Sequence, residues 1–279
     1  MVNKTAIKQA LQSSLPIIIV LLCWELLSSM RILNPALFSK PSLIFTSIYK
    51  MLVIDVVSIP IPIVNLEMNL GILVVDIIAS LNRLIISFIL AGVIGIITGL
   101  MMGSNQYVRK FLDPIITMMM PIPGIAWAPI FLVWLGFGDP TLLVVGLIAA
   151  FFPIVQNVSA ATASIDQKMI WASQSMGATN RGLLLHVLLP HSFPFLFTGF
   201  KLGLARGWRT IIAVELIAGT LTGLGVMIFT AREFLQPYKI YGGIMVLALI
   251  YFTIELGIRY IEKNTIEKWG MVDIGVLHG

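Results

Sequence analysis

The chain has 279 residues, 58% of them hydrophobic and only 11% charged, with a formal net charge of +5 and a mean hydropathy of +0.98. Soluble domains carry about 25% charged residues, so a soluble globular domain is excluded, and the positive charge lies in short loops and helix ends, which fits membrane orientation rather than nucleic-acid binding. The single cysteine, Cys23, makes neither an internal disulfide nor a metal site and reads as a small apolar core residue.

In chain order, Lys4 and Lys8 precede the first apolar run, which continues into Trp24 and Glu25 without a small-x-small cleavage site. It is read as a retained first span over 15–32, not a signal peptide, and Asn34-Pro35 ends it. Residues 36–81 are too interrupted to span and are placed on the outer membrane face. Within them Ser39-Lys40-Pro41-Ser42 forms a turn, Ser42 caps a helix over Leu43 to Val53, and Pro60 and Pro62 interrupt the stretch beyond it. The second span covers 84–102, with Gly92, Gly95, Gly99 and Gly103 on one smooth face for close packing. Arg109 and Lys110 sit in a short inner loop, and Asp113-Pro114 opens the third span, 115–135. Pro121, Pro123 and Pro129, with Gly124 between, break its backbone ladder. Carbonyls freed at membrane depth are tolerated only against protein or a watery cavity, so this span faces the bundle interior.

Gly136 to Pro140 is an outer turn, and the fourth span, 141–163, carries Pro153, Gln156 and Asn157. A polar island over 164–190 separates it from the fifth span, 193–219. An outer loop over 220–241 includes the short apolar piece Leu224 to Thr230, and the sixth span, 242–261, leads to a charged tail. The expectation is one transmembrane domain over 1–279, all-α, with both termini cytoplasmic. Lys4, Lys8, Arg109, Lys110, Lys168, Arg181, Lys263 and Lys268 then fall inside, against Arg31, Lys40, Lys50, Arg232 and Lys239 outside, a modest bias in the expected sense. No Gly-rich loop closing in Gly-Lys-Ser/Thr is present, so this chain is not expected to hydrolyse ATP.

The polar island is the most patterned stretch. Asp166 can cap a short helix, DQKMIWASQSM, which Gly177 ends in the left-handed conformation. Thr179 or Asn180 can cap a second helix, Arg181 to Leu188, and Pro190 marks where the fifth span begins. Met169, Ile170, Trp171 and Met176 are then apolar side chains on a wet face, which fits a partner surface or an amphipathic helix lying on lipid headgroups.

This island resembles the cytoplasmic loop of the integral-membrane subunits of bacterial ABC importers, whose form is EAA, three residues, Gly, nine residues, then Ile-x-Leu-Pro. Trp171-Ala172-Ser173 occupies the EAA place, Gly177 and Ala178 come next, and Val187-Leu188-Leu189-Pro190 closes at the family spacing. The first and third letters differ, so the family's glutamate is absent. PSLIFTSIYKML, SLNRLIISFILAGVIGIITGLMMG, PIPGIAWAPIFLVWLGFGDP and FFPIVQNVSA are similar to the nitrate/sulfonate/taurine branch, and the resemblance covers most of residues 15–262. It implies a type I ABC importer permease bundle of five to six transmembrane helices, working as two copies, most simply a homodimer in a bacterial inner membrane. The island would be the coupling helix, with Met169, Trp171, Ala172, Ser173, Met176, Gly177, Ala178, Leu189 and Pro190 gripped by one of two cytoplasmic ATP-binding subunits. ATP and Mg would belong to those subunits, with no cofactor on this chain. A periplasmic or lipid-anchored binding protein would deliver a small anion of the nitrate, sulfonate, taurine or bicarbonate class. Membrane lipid is the other expected neighbour, and nucleic acid is not.

The fifth span holds Lys201, Arg206, Arg209 and Glu215. An ionised group at the bilayer centre costs about 2.5–3.5 kcal/mol on insertion scales, so these must face protein, water or one another. Arg206 and Arg209 share a helix face. Glu215 points elsewhere and needs partners from other spans or a second copy, and Lys201 can snorkel to the inner interface. Two readings of the arginines stand. They line the pathway and attract an anion by forked hydrogen bonds, or they bind carbonyls freed by Pro121, Pro123 or Pro153. The pathway candidates are Arg206, Arg209, Glu215, Trp127 and Gln156. Gly203 and Gly207 permit close approach of another helix, the dimer partner being one candidate. His186, His191 and His278 lack the ligand set of a metal site. A self-sufficient secondary carrier is the alternative, but the spans do not pair as an inverted repeat. An intramembrane enzyme would need a buried nucleophile or metal triad, and no such motif is found in the spans.

Overall fold

The computed structural model describes residues 4–30, 34, 37–61 and 66–264. Arg31, Pro35, Pro62, Lys268 and His278 lie outside the described residues, as do the side chains of Lys4, Lys8, Arg181, Leu189, Pro190 and His191. The elements are α1 (Lys4–Ser29), α2 (Pro41–Val53), β1 (Val56–Ile61), β2 (Leu66–Gly71), α3 (Ile72–Ser104), α4 (Gln106–Met119), a 3-10 turn (Gly124–Trp127), α5 (Ala128–Leu135), α6 (Asp139–Ala163), α7 (Gln167–Ser175), α8 (Asn180–Leu183), a π turn (Leu184–Leu188), α9 (Leu189–Glu215), α10 (Leu224–Glu233) and α11 (Pro237–Glu262). They form two compact units, Met1–Ile78 with Thr222–Ala248, and Ala79–Leu221 with Leu249–Gly279.

In the first unit, α2 starts at Pro41, and Ser42 lies inside it rather than capping it. The acceptor for its N-terminus comes from α1: Glu25 accepts from Ser42 N–H at 3.0 Å and from Ser42 Oγ at 2.9 Å. A carboxylate suits that end of a helix, where N–H groups lack partners. Cys23 is exposed on α1 rather than packed in a core. An antiparallel hairpin, β1 with β2, runs in register from Val56 opposite Gly71 to Ile61 opposite Leu66, so the outer-face segment is not wholly irregular. Asp76 is buried and accepts from Gly223 N–H at 2.8 Å, serving the N-terminus of α10.

In the second unit, α3, α6 and α9 pack side by side. Along α3, a Cβ at Gly95 would stand 2.8 Å from Ile154 Cγ2, one at Gly99 2.6 Å from Val158 Cβ, and one at Gly103 2.3 Å from Thr162 Cβ. The three partners recur every four residues on α6, so a smooth ridge of one helix receives a row of side chains from the next. On the far side of α6, a Cβ at Gly203 of α9 would lie 2.9 Å from the Ala150 carbonyl oxygen. That glycine therefore serves packing within the chain and not a second copy. Ile154, fully buried, sits between the two glycine faces. Gly99→Leu is expected to lower stability by about 1–3 kcal/mol through overpacking. A fall in the thermal midpoint of the detergent-purified protein checks it, and an unchanged midpoint would show that α3 and α6 do not meet there.

Among the described residues three helices are long and apolar enough to cross a membrane: α3 with 33 residues, α6 with 25 and α11 with 26. A fourth crossing exists if the pair Gln106–Met119 and Gly124–Leu135, bent by 98°, counts as one span. α9 has 27 residues, which at about 1.5 Å per residue is long enough, but its charges keep it out of that group. The second-span helix begins at Ile72 rather than 84, which brings Ser80 and Arg83 inside it. Arg109 and Lys110 lie within α4, not in a loop. That helix is capped by Asn105, whose Oδ1 accepts from Tyr107 N–H at 2.8 Å, and Pro114 lies inside it. The break falls at the prolines after Met120, where backbone donors run out.

Candidate functional sites

The polar island folds as two unlike pieces. α7 is capped by Asp166, whose Oδ1 accepts from Lys168 N–H at 2.9 Å. It stops at Gly177, where φ is +85°, the region that suits glycine at a helix C-terminus. No separate second helix forms after it. Thr179 Oγ1 accepts from Gly182 N–H at 3.2 Å, and α8 passes through the π turn directly into α9. Pro190 cannot donate to the carbonyl four residues back, and a widened turn absorbs such a break. Met169, Trp171 and Met176 are exposed at 50%, 59% and 82%. Ala172 and Gly177 are also exposed, and Ser173 and Ala178 are half-buried. Ser173 Oγ donates to the Met169 carbonyl at 2.8 Å, so it serves its own helix.

The second site lies where the broken span meets α9. A cavity of about 370 Å³ is lined by Met120 to Gly124, Trp127, Ile148, Ala149, Phe152, Arg206, Arg209 and Thr210. Gly124 allows this geometry: a Cβ there would stand 2.4 Å from Thr210 Oγ1 and 3.1 Å from Ala149 Cβ, so only glycine lets the broken backbone sit against α6 and α9 together. Arg206 Nη1 donates to the Met120 carbonyl at 3.3 Å, one of the acceptors released at the break. Among the described residues Arg209 makes no hydrogen bond or ion pair, and no carboxylate pairs with either arginine. The two readings of these arginines thus divide: Arg206 holds a freed carbonyl, while Arg209 keeps its donors.

The structure brings Arg206, Arg209 and Trp127 together and leaves Gln156 and Glu215 elsewhere. Gln156 is exposed and does not line the cavity. Glu215 is 2% exposed and takes its partners from another helix. Ser80 Oγ donates to both carboxylate oxygens at 2.8 and 2.9 Å, and Arg83 Nη1 donates to Oε1 at 2.7 Å. Arg83 Nε reaches Asp139 Oδ1 at 2.7 Å, where α6 begins. Lys201 pairs with Glu262. Sequence reasoning does not single out Thr210, Arg83, Ser80 or Asp139. Thr210 carries one signal, lying four residues after Arg206 and so on its face. His186 Nδ1 lies 3.1 Å from the Gly182 carbonyl oxygen in its own turn.

Residues 91–266 match the family described as binding-protein-dependent transport system inner membrane component. The chain is 39% identical over 186 residues to the taurine transport system permease protein of Escherichia coli (strain K12), covering 67% of each. It is 29% identical over 189 residues to the nitrate import permease protein of Synechocystis sp. (strain ATCC 27184 / PCC 6803 / Kazusa), covering 68% of each. Its backbone matches that of a chain of the MetNI methionine ABC transporter in an inward-facing conformation, with a TM-score of 0.55 and 22% identity over 68% of this chain and 96% of that one, so the two chains share a fold. A mostly helical chain with this backbone, and a family match across more than half its length, make the chain a member of the binding-protein-dependent transport system inner membrane component family.

Proposed function

We propose that this chain is the permease subunit of an ATP-driven importer and forms the pathway of a small anion by alternating access. The observation that carries the anion is the cavity beside the broken span, with Arg206 and Arg209 on its wall and no carboxylate among the described residues paired with either. A guanidinium cannot be deprotonated in a protein and offers forked donors that match an oxyanion. A permease that works by alternating access needs such a station to be passable, and a watery cavity beside a broken helix is where polar backbone is tolerated at membrane depth.

Energy comes from elsewhere. α7, with Trp171 and Met176 exposed, is the element a cytoplasmic ATPase subunit grips. Two such subunits, holding ATP and Mg, would draw the α7 elements of two permease copies together and flip the cavity between faces. The copies form a homodimer, both termini are cytoplasmic, and the residues over 1–279 act as one permease domain. A periplasmic or lipid-anchored binding protein delivers the solute to the outer face. Taurine and nitrate appear in the names of similar permeases, so the solute is sought among small oxyanions.

The test is uptake by the whole transporter in proteoliposomes, with labelled taurine, ethanesulfonate, nitrate and bicarbonate offered in turn. Uptake of at least one is expected to require ATP in the ATPase-side compartment and the binding protein on the other. Uptake that continues without ATP, driven by an ion gradient, would make the chain a secondary carrier and end this reading.

A further inference from the structure

The first compact unit holds a cavity of its own, between α2 and the start of α11, with a volume of about 360 Å³. Along α2, Leu43, Thr46, Ser47 and Lys50 line it, a spacing that puts them on one helix face. α2 ends where Asp55 N–H donates to the Lys50 carbonyl at 2.9 Å, and that turn returns the Asp55 side chain to the same cavity. From α11 come Tyr238 and Lys239. Gly242, one turn further on, allows the approach: a Cβ there would stand 3.2 Å from Ile48 Cγ1 of α2. α11 is long and apolar enough to cross a membrane. Its first turn therefore stands at the edge of the hydrocarbon core, where tyrosine and lysine side chains settle.

Two observations point to a ligand there. Ser47 is 5% exposed, and its Oγ is buried without a hydrogen-bond partner. Its neighbour Thr46 is satisfied within the helix, donating to the Ser42 carbonyl at 2.8 Å. Ser47 keeps its hydroxyl unused at the cavity wall. A buried hydroxyl in that state is costly unless something completes it. The second observation is charge. Lys50 and Lys239 form no ion pair among the described residues, not even with Asp55. Two lysines against one carboxylate leave the lining with a net positive charge. Water can complete a hydroxyl but cannot neutralise that excess. A phosphodiester does both, with a single negative charge and non-bridging oxygens that accept.

We propose that this cavity holds the head group of an anionic phospholipid. The phosphate is bound by Lys50, Lys239 and the Ser47 hydroxyl, with Tyr238 as a further neutral donor. Asp55 accepts from a hydroxyl of the head group, and the acyl chains leave past Leu43, which is 48% exposed. Lysine suits this place: its apolar stem lies along the hydrocarbon while a compact charge meets the phosphate. Basic pockets between membrane helices bind lipid head groups in this way. The bound lipid ties the short helix α2 to the spanning helix α11.

The test uses the purified permease–ATPase complex, stripped of lipid in detergent and titrated with phosphatidylglycerol or phosphatidylcholine. Native mass spectrometry counts bound lipid, and the thermal midpoint reports stability. The wild type is expected to hold one phosphatidylglycerol per permease chain at least about tenfold more tightly than phosphatidylcholine, and to gain thermal stability from it. Lys50→Gln with Lys239→Gln is expected to weaken that binding about ten- to a hundredfold and to remove the gain. Ser47→Ala separates ligand from fold. It weakens binding about three- to tenfold, yet leaves the lipid-free midpoint unchanged or higher, because it deletes a hydroxyl that has no partner. Wild-type affinity in the double lysine variant overturns the site, and equal affinity for phosphatidylcholine overturns the charge selection on which it stands. Displacement of the lipid by an equal concentration of inorganic phosphate assigns the cavity to a free anion. Weakened docking of the binding protein with unaltered lipid binding assigns it to that protein. Either result overturns the lipid. If the double variant fails to assemble, Ser47→Ala and the single variant Lys239→Gln decide.

Discussion

Arg83→Met is expected to destabilise the protein by about 3–5 kcal/mol, the loss found when one member of a buried ion pair is removed. The reason is what it leaves behind. The Glu215 side chain is fully buried, and with Arg83 gone it loses the cation that balances it while keeping the Ser80 hydroxyl. A neutral donor does not compensate a carboxylate taken out of water. Glu215→Gln is the milder change, because Arg83 keeps Asp139, whose side chain is 63% exposed. The double variant Arg83→Met, Glu215→Gln removes both charges, and its cost is expected to fall short of the sum of the single costs by about 1–3 kcal/mol. The check is a double-mutant cycle on the thermal midpoint of the purified protein in detergent. Additive losses would mean that the two side chains do not interact. The three charged residues come from early α3, the start of α6 and the end of α9, so the cluster also fixes the register of α6 and α9, which both line the cavity, against α3.

That cluster shows where sequence reasoning reaches its limit. The sequence reading starts the second span at 84 and leaves residues 36–81 outside it as too interrupted to cross. The structure carries the helix back to Ile72, since Asp76 serves Gly223 N–H and Arg83 serves Glu215. Those partners lie more than a hundred residues away along the chain, and no local pattern encodes such a match. The break in the third span is legible for the opposite reason. Pro121 and Pro123 remove donors locally, and Gly124 removes a side chain at the same point. The glycine periodicity of α3 likewise announces a close neighbour, although only coordinates identify Val158 and Thr162 as that neighbour. The pairing of Arg206 with Arg209 comes from helical period, whereas the exclusion of Gln156 and Glu215 from their cavity does not.

The polar island is legible in its caps and not in its second half, and the difference decides what can be tested there. Asp166 and Gly177 bound α7 through local chemistry. Beyond them the chain runs through a π turn into α9, so α7 joins the helix that carries Arg206, Arg209 and Thr210 through one short link. If an ATPase subunit grips α7 as proposed above, α9 is the element that carries the pull to the cavity wall. Trp171→Ala is expected to weaken binding of the permease to its cognate ATPase by about 2–4 kcal/mol, the range of an aromatic anchor at an interface, or roughly 30- to 700-fold in affinity. ATP-driven uptake is expected to fall with it. Met176→Ala, at 82% exposure, should act in the same direction. Neither change should move the thermal midpoint of the permease alone, because both side chains stand mostly in solvent. Gly177→Ala acts on the fold instead. A Cβ there meets nothing of this chain within 4 Å, so its cost to the fold is only the left-handed backbone, about 1–2 kcal/mol. The measurement is ATPase affinity by surface-bound titration beside the thermal midpoint. Trp171→Ala with unchanged ATPase affinity but weakened adsorption to anionic vesicles would assign α7 to the lipid surface, and the drive to the cavity would have to enter elsewhere.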